Sequence, residues 1–238
     1  MEKLTSGLDK LGLRLGQREL SLFQTYYEEL IDWNQRMNLT AITEYDKVQI
    51  NHFLDSLTVV SVWKPSSNNQ NPRMIDIGAG AGVPGIPLKI VFPEIRLVLL
   101  DSTNKKTTFL NHLKQKLELE DIEVVTGRAE EVAHQNQYRE QFDLVLARGV
   151  APMTTLVELT LPFCKISGKV VAHKKGDIAE EINKAKKAIS ILGGKLTEMK
   201  PIELTEFPDN RCLVVIDKVT STPAQYPRRS GLPVKKPI

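Results

Sequence analysis

Apolar residues recur at helical spacing through the first quarter of the chain. In LSLFQTYYEELIDWNQRMNL, Leu20, Phe23, Tyr27, Leu30 and Ile31 share one helical face. A second helix is predicted over about 45–63, carrying Val48, Phe53, Leu57 and Val60. Residues 64–73, KPSSNNQNPR, interrupt the pattern with Pro, Ser and Asn, which makes them a loop and the best boundary in the chain. Downstream the period changes. Short apolar, β-rich runs at 74–78, 96–101, 122–126, 142–147 and 169–173 alternate with helical stretches at 84–92, 104–118, 129–135 and 152–164. That alternation predicts an α/β domain with a mostly parallel sheet, right-handed crossovers and helices on both faces. A helix over 177–191 follows, then strands over 194–204 and 211–219. The FPDN connection between those last two is too short for a crossover, so the sheet should close with one antiparallel strand.

The division expected is an N-terminal helical extension (1–64), an α/β domain (72–219) and a C-terminal tail (220–238). The 238 residues carry a net charge of only +3, but residues 218–238 hold Lys218, Arg228, Arg229, Lys235 and Lys236 with no acid, leaving −2 for the rest. A local basic stretch points modestly to a polyanionic partner, and a solubilising terminus is the plainer reading of charge alone. Two cysteines, Cys164 and Cys212, form no metal-ligand spacing and suit a reducing compartment. No apolar run reaches the length of a membrane span and the N-terminus lacks a signal-peptide layout, so a cytoplasmic protein is expected, with no membrane and no metal.

The strongest local signal is Asp76-Ile77-Gly78-Ala79-Gly80-Ala81-Gly82-Val83-Pro84-Gly85, between the first strand and the helix that follows. Small residues allow close backbone approach to a ligand, and a helix N-terminus offers free N–H groups. Gly80, Gly82 and Gly85 satisfy the dinucleotide pattern G-x-G-x-x-G, whereas Gly78, Gly80 and Gly82 satisfy the G-x-G-x-G form of S-adenosylmethionine enzymes. In either case the second strand should end in an acid that accepts from a ribose hydroxyl, as Asp101 does. The antiparallel last strand, the Gly127-Arg128-Ala129-Glu130 end of strand three and the lack of a second nicotinamide motif favour S-adenosylmethionine. Strand four ends Ala147-Arg148-Gly149-Val150-Ala151-Pro152, without the Asp/Asn-Pro-Pro-aromatic of exocyclic-amine methylation. Cys164 and Cys212 lie in apolar runs and suit core packing better than the covalent adduct that C5 methylation needs.

Taken together, NLTAI (38–42), HFLDSL (52–57), DIGAGAGVPGIPL (76–88), LLDSTNKKTTFL (99–110), GRAEE (127–131), ARGVAP (147–152), HKKG (173–176) and RRSGLPVKKP (228–237) closely resemble the ribosomal RNA small subunit methyltransferase G, or glucose-inhibited division protein B, family. The departures are small: Ala79 stands where Ser or Thr is frequent, and Gly149 where Ala is usual. The resemblance implies a Rossmann-like class I methyltransferase fold and methyl transfer from S-adenosylmethionine to N7 of a guanine in the decoding-region loop of 16S rRNA. Guanine N7 has a lone pair and no proton, so no general base is required, and rate would come from orientation.

The resemblance also implies roles. Gly78, Gly80 and Val83 should line the methionine and ribose part of the cofactor; Asp101, with Ser102 and Thr103, should hold the ribose; Ala129 and Glu130 should meet the adenine. Arg148 is placed at the cofactor–substrate junction. Asp55 and Ser56, sharing a helix face with His52, are expected to cover the site or orient the guanine, although a solvated helix face is nearly as plain a reading. Asn38 is a pocket contact by resemblance and a turn residue by default. Lys105, Lys106, Lys174, Lys175, Arg228, Arg229, Lys235 and Lys236 are the candidates for RNA phosphates, on a monomer that acts on 16S rRNA or the small subunit. A small-molecule methyltransferase, an assembly factor that binds RNA without catalysis and, more distantly, a nicotinamide dehydrogenase remain the alternatives.

Overall fold

Short apolar runs, buried on both faces through most of the central strands, build a seven-stranded sheet in the computed structural model, which describes residues 1–65 and 71–238. The strands are β1 (Arg73–Ile77), β2 (Arg96–Asp101), β3 (Ile122–Thr126), β4 (Phe142–Arg148), β5 (Cys164–Lys175), β6 (Gly194–Ile202) and β7 (Arg211–Lys218). Their spatial order is β3-β2-β1-β4-β5-β7-β6. β1 pairs in parallel with β2 and β4, β2 with β3, and β4 with β5. β7 runs antiparallel to both β5 and β6, as the short connection requires. Strand order reverses between β1 and β4, and ligands bind at the carboxyl ends of strands beside such a reversal.

Each face of the sheet carries a core. Met74, Leu97, Leu99, Leu144, Leu146 and Val171 pack on one side with α5 (Gly85–Val91), α6 (Asn104–Lys116) and the N-terminal helices; Ile75, Ile77, Val98, Val145 and Ala147 pack on the other with α8 (Met153–Thr160) and α9 (Ala179–Ile191). The N-terminal segment is thus part of the first core: Leu4 and Leu8 of α1 (Glu2–Lys10) and Phe23, Tyr26 and Leu30 of α2 (Gln17–Met37) are buried there. Tyr26, outside the predicted stripe, is fully buried, whereas Tyr27 is half-buried and packs edge-on against Tyr45 with centroids 4.7 Å apart.

The helix predicted over 45–63 is broken into four pieces. α3 (Tyr45–Val48) passes into a π-helical turn (Gln49–Leu54), then α4 (Asp55–Leu57) and a 3₁₀ turn (Thr58–Ser61). The five-residue step from Val48 to Phe53, both fully buried, is what the wide turn accommodates. Two other boundaries move for local reasons. α8 stops at Thr160: Leu161 is still helical in φ and ψ and bonds back to Val157 O, but Pro162 has no N–H with which to continue the ladder. β5 begins at Cys164 rather than 169, since an irregular register opposite Phe142 and Leu144 and a left-handed Ser167 (φ 68°) disguise its first residues. The rest of the 64–73 loop, residues 66–70, lies outside the described residues.

The C-terminal tail is docked along α7 (Ala129–Val132) and α8. The Arg139 guanidinium donates to the carbonyls of Tyr226 (2.8 Å) and Thr222 (2.9 Å), and Thr155 Oγ1 donates to Pro233 O (3.1 Å). Arg228 wraps Glu158, donating through its backbone N (2.7 Å), Nε (2.9 Å) and Nη2 (2.6 Å). The tail ends in a short helix, α10 (Leu232–Lys235).

Candidate functional site

A cavity of about 310 Å³ opens at the carboxyl ends of β1, β2 and β3, lined by Gly78, Asp101, Ser102, Thr103, Ala129 and Glu130 among others. The glycine loop shapes it. Gly78 is left-handed (φ 72°), and a Cβ there would lie 2.7 Å from Val150 Cγ2. Gly82 (φ 94°) makes room for the Tyr26 hydroxyl, which a Cβ would approach to 2.9 Å. Tyr26 donates to Ala81 O at 2.6 Å, so an N-terminal helix braces the loop. Asp76 accepts from Gly85 N (2.9 Å) beneath the loop, its Oδ1 has no partner among the described residues, and burial pushes its carboxyl up to about 7. Asp101 accepts from Gly80 N (3.0 Å) and Thr103 N (2.9 Å) and lies 3.5 Å from Lys106 Nζ. A carboxylate has about four lone-pair sites, so Asp101 keeps capacity for further donors. A cradle without side chains, beside an acid with spare acceptors, fits a nucleoside with vicinal hydroxyls.

A second cavity of about 380 Å³ shares the wall Gly149–Val150–Ala151 with the first and is lined by Asp55, Arg148, His173, Lys174 and Lys175. Here the π-helical turn meets the sheet. Arg148 Nη1 is 3.0 Å from Asp55 Oδ2, and Arg148 Nη2 donates to Asn51 O at 2.5 Å. Arg211, at the start of β7, sits 2.8 Å from Asp55 Oδ1 and donates to Asn51 Oδ1 at 2.5 Å. Burial would raise the Asp55 carboxyl, but Arg148, His173 when protonated and Arg211 outweigh it and hold the group below its ordinary range.

Two histidines complete the cluster. His173 Nε2 donates to Asp55 O (3.1 Å), which assigns the proton to Nε2 and leaves Nδ1 a buried acceptor without a partner among the described residues. His52 Nδ1 faces Arg148 Nη2 (3.3 Å), and its Nε2 meets Thr40 Oγ1 (2.9 Å). Burial lowers both to about 4: the Arg148 charge adds to this at His52, while at His173 Asp55 opposes it and Arg148 adds to it. Because each folded value lies below the ordinary 6.5, the unfolded chain binds more protons between about 6.5 and about 4, and stability falls as pH drops through that window. Each histidine adds up to about 1.4 kcal/mol per pH unit to the slope. Asp76, with its raised folded value, works in the opposite sense. His173→Gln is therefore expected to flatten the slope by about 1 kcal/mol per pH unit in denaturant titrations from pH 6 to 5. An unaltered slope would show that His173 is not held neutral.

The expected residues separate by position. Gly78, Asp101, Ser102, Thr103, Ala129 and Glu130 line the first cavity, and Asp55 and Arg148 the second. Gly80 touches the first through its bond to Asp101, whereas Val83 packs into the first core. Ser56 is fully buried and donates to His52 O (2.5 Å), so it reaches neither cavity. Asn38 ends α2 in the left-handed region as a turn residue. Glu130 Oε1 accepts from Gly231 N (2.9 Å), which brings the tail to the rim of the first cavity. Among the candidate phosphate ligands, Lys106 faces Asp101, Lys174 bonds Ala151 O (2.9 Å) and Glu181 (2.6 Å), Lys175 pairs with Asp209 (2.8 Å), and Arg228 is committed to Glu158. Lys105, Arg229, Lys235 and Lys236 are exposed. Arg211, Asn51 and Tyr26 were not legible as site residues; only Tyr26, four residues before Leu30 and three after Phe23, carried a helical-spacing signal. Among the described residues no group of three or more His, Cys, Asp or Glu side chains is placed to hold a metal, and no helix is long and apolar enough to cross a membrane.

Residues 19–207 match the family model described as rRNA small subunit methyltransferase G. The chain is 48% identical over its whole length, and the relative's, to a ribosomal RNA small subunit methyltransferase G of Dehalococcoides mccartyi. It is 44% identical over 99% of its length to one of Alkaliphilus metalliredigens, of which 97% is covered. Among solved structures, a SAM-dependent O-methyltransferase of Thermotoga maritima aligns with TM-score 0.53 at 15% identity, covering 82% of this chain and 72% of that one. A precorrin-6y C5,15-methyltransferase of Geobacter metallireducens aligns with TM-score 0.52 at 16% identity over 70% of this chain and 88% of its own. At such identities these structures speak for the fold, and it is the class I methyltransferase fold expected from the sequence.

Proposed function

The chain belongs to the rRNA small subunit methyltransferase G family, and from that premise we propose that it transfers the methyl group of S-adenosylmethionine to N7 of a guanine in the decoding-region loop of 16S rRNA. The observation that carries this reading is the shared wall Gly149–Val150–Ala151: a nucleoside-shaped cavity and a cation-rimmed cavity lie back to back at the reversal of strand order. Bound S-adenosylmethionine supplies an electrophilic methyl group on its sulfonium. Gly78 and Gly80 cradle it, Asp101 accepts from its ribose hydroxyls, and Ala129 and Glu130 meet its adenine. The guanine enters the second cavity beside Arg148. No residue needs to remove a proton from N7, so the chain contributes alignment, which supplies roughly 7–11 kcal/mol in favourable systems. Asp55, held ionised by Arg148 and Arg211, orients Arg148 beside the guanine.

In this reading residues 1–64 close one side of the site, residues 72–219 bind the cofactor, and the tail from 220 presents Arg229, Lys235 and Lys236 to phosphates. The protein acts as a monomer in the cytoplasm. The test is methyl transfer from labelled S-adenosylmethionine to small subunits and to free 16S rRNA, followed by nucleoside analysis. Label in 7-methylguanosine supports the reading; label confined to an exocyclic amine or a ribose overturns it.

A further inference from the structure

Arg211 belongs to none of the motifs that carry the family resemblance, yet each guanidinium nitrogen has a polar neighbour: Nε and Nη2 donate hydrogen bonds, and Nη1 faces Asp55 as an ion pair without a hydrogen bond of its own among the described residues. Besides Asp55 and Asn51, it donates through Nε to Asp209 Oδ1 (2.6 Å) and lies over the Phe207 ring at 4.0 Å from the centroid. Its side chain is 3% exposed. Arg211 grips the side chains of the two residues that also hold Arg148: Asp55 offers one carboxylate oxygen to each arginine, and Asn51 offers its amide oxygen to Arg211 and its backbone carbonyl to Arg148.

We infer that Arg211 is a positioning residue, fixing the π-helical turn so that Asp55 and Asn51 aim Arg148 at the wall between the two cavities; this rests on the reading of that wall as the place of methyl transfer. The turn needs such a fastening. A π-helical turn is a departure from regular helix, and Asn51 and Arg211 stand 160 residues apart, so this fastening is a tertiary one. A lysine in place of Arg211 would keep the charge and lose the planar fork that serves Asp55, Asn51 and Asp209 together.

The charge of Arg211 also helps Arg148 hold Asp55 ionised. The groups facing Asp55 are His52 from its own segment, Arg148 from β4, His173 from β5 and Arg211 from β7, with Lys175 and Asp209 further round the rim. Without Arg211, Arg148 is the one permanent cation in contact with Asp55 among the described residues. The acid limb of kcat then moves to higher pH, which a scaffolding role would not cause.

The experiment compares wild-type protein, Arg211→Gln and Arg211→Lys in methyl transfer to small subunits across pH, with thermal unfolding and calorimetric cofactor binding on the same samples. Arg211→Gln is expected to lower kcat about 100-fold while KM for S-adenosylmethionine stays within about twofold. Its acid limb should rise by about one pH unit. Arg211→Lys should restore the acid limb and recover only part of kcat. Wild-type kcat in both variants, or a loss of kcat with the acid limb in place, overturns the proposal. If Arg211→Gln does not fold, Arg211→Lys decides: reduced kcat at unchanged cofactor KM supports the proposal, and wild-type kcat overturns it. If the wild-type protein transfers no methyl group, the functional reading fails instead. A crystal structure of Arg211→Lys then decides the positioning role, with Arg148 displaced from Asn51 supporting it and Arg148 in place overturning it.

Discussion

Replacing Arg228 with alanine is expected to lower the unfolding free energy by about 3 kcal/mol, because breaking a buried ion pair strands its partner. Glu158 is completely buried and receives Nε and Nη2 of Arg228 as well as its backbone N. In the variant an anion remains under the tail with one backbone donor. The tail segment that follows should loosen, including the bond from Gly231 N to Glu130 Oε1 at the cofactor cavity. Urea unfolding at pH 7 measures the loss; a change under about 0.5 kcal/mol, the range of an ordinary surface substitution, would mean that the Arg228–Glu158 contact does not anchor the tail. Arg229→Ala provides the contrast. Arg229 is exposed, so stability should stay within about 0.5 kcal/mol, and the effect should appear as a shallower salt dependence of RNA binding, by about one unit of slope for one lost phosphate contact. These two results would divide neighbouring arginines of one motif between anchoring the tail and meeting the polyanion.

Asp101→Ala is expected to weaken S-adenosylmethionine binding by about 100-fold, roughly 2.7 kcal/mol, as charge-assisted hydrogen bonds are worth about 1.5–3 kcal/mol each. The aspartate has two duties. It fixes the loops by accepting from Gly80 N and Thr103 N, and its remaining lone pairs accept from the ribose in the functional reading. Asp101→Asn keeps much of the shape and removes the charge, so it should fall between wild type and Asp101→Ala. Calorimetric titration of the three proteins gives the ranking. Equal affinities would place the nucleoside elsewhere.

What the sequence discloses depends on the distance between the residues that must agree. The glycine loop is contiguous, and its pattern, the preceding strand and the acid that ends β2 are all readable because local backbone chemistry dictates them. The parallel pairing of the first strands and the antiparallel β7 follow from connection lengths, again a local property, whereas the strand order does not. The Asp55 clamp is different. Its partners come from the π-helical turn, β4, β5 and β7, and nothing near Arg211 in the chain marks it as buried. The same applies to Arg228 and Glu158, separated by 70 residues: composition shows a basic tail and only packing shows that one of its charges is spent. The π-helical turn itself left a trace in the five-residue step between Val48 and Phe53, which a uniform helical period overlooks.

The account turns on one nucleobase atom, and cleavage mapping reads it. 16S rRNA is taken from cells that lack this protein, from cells that carry it and from cells that carry Asp101→Ala, then treated with borohydride and aniline and copied by reverse transcriptase. The account predicts a strand break at a single guanine of the decoding-region loop in the wild-type sample and no break there in the other two. A break of equal strength in all three samples, or in none, would contradict it.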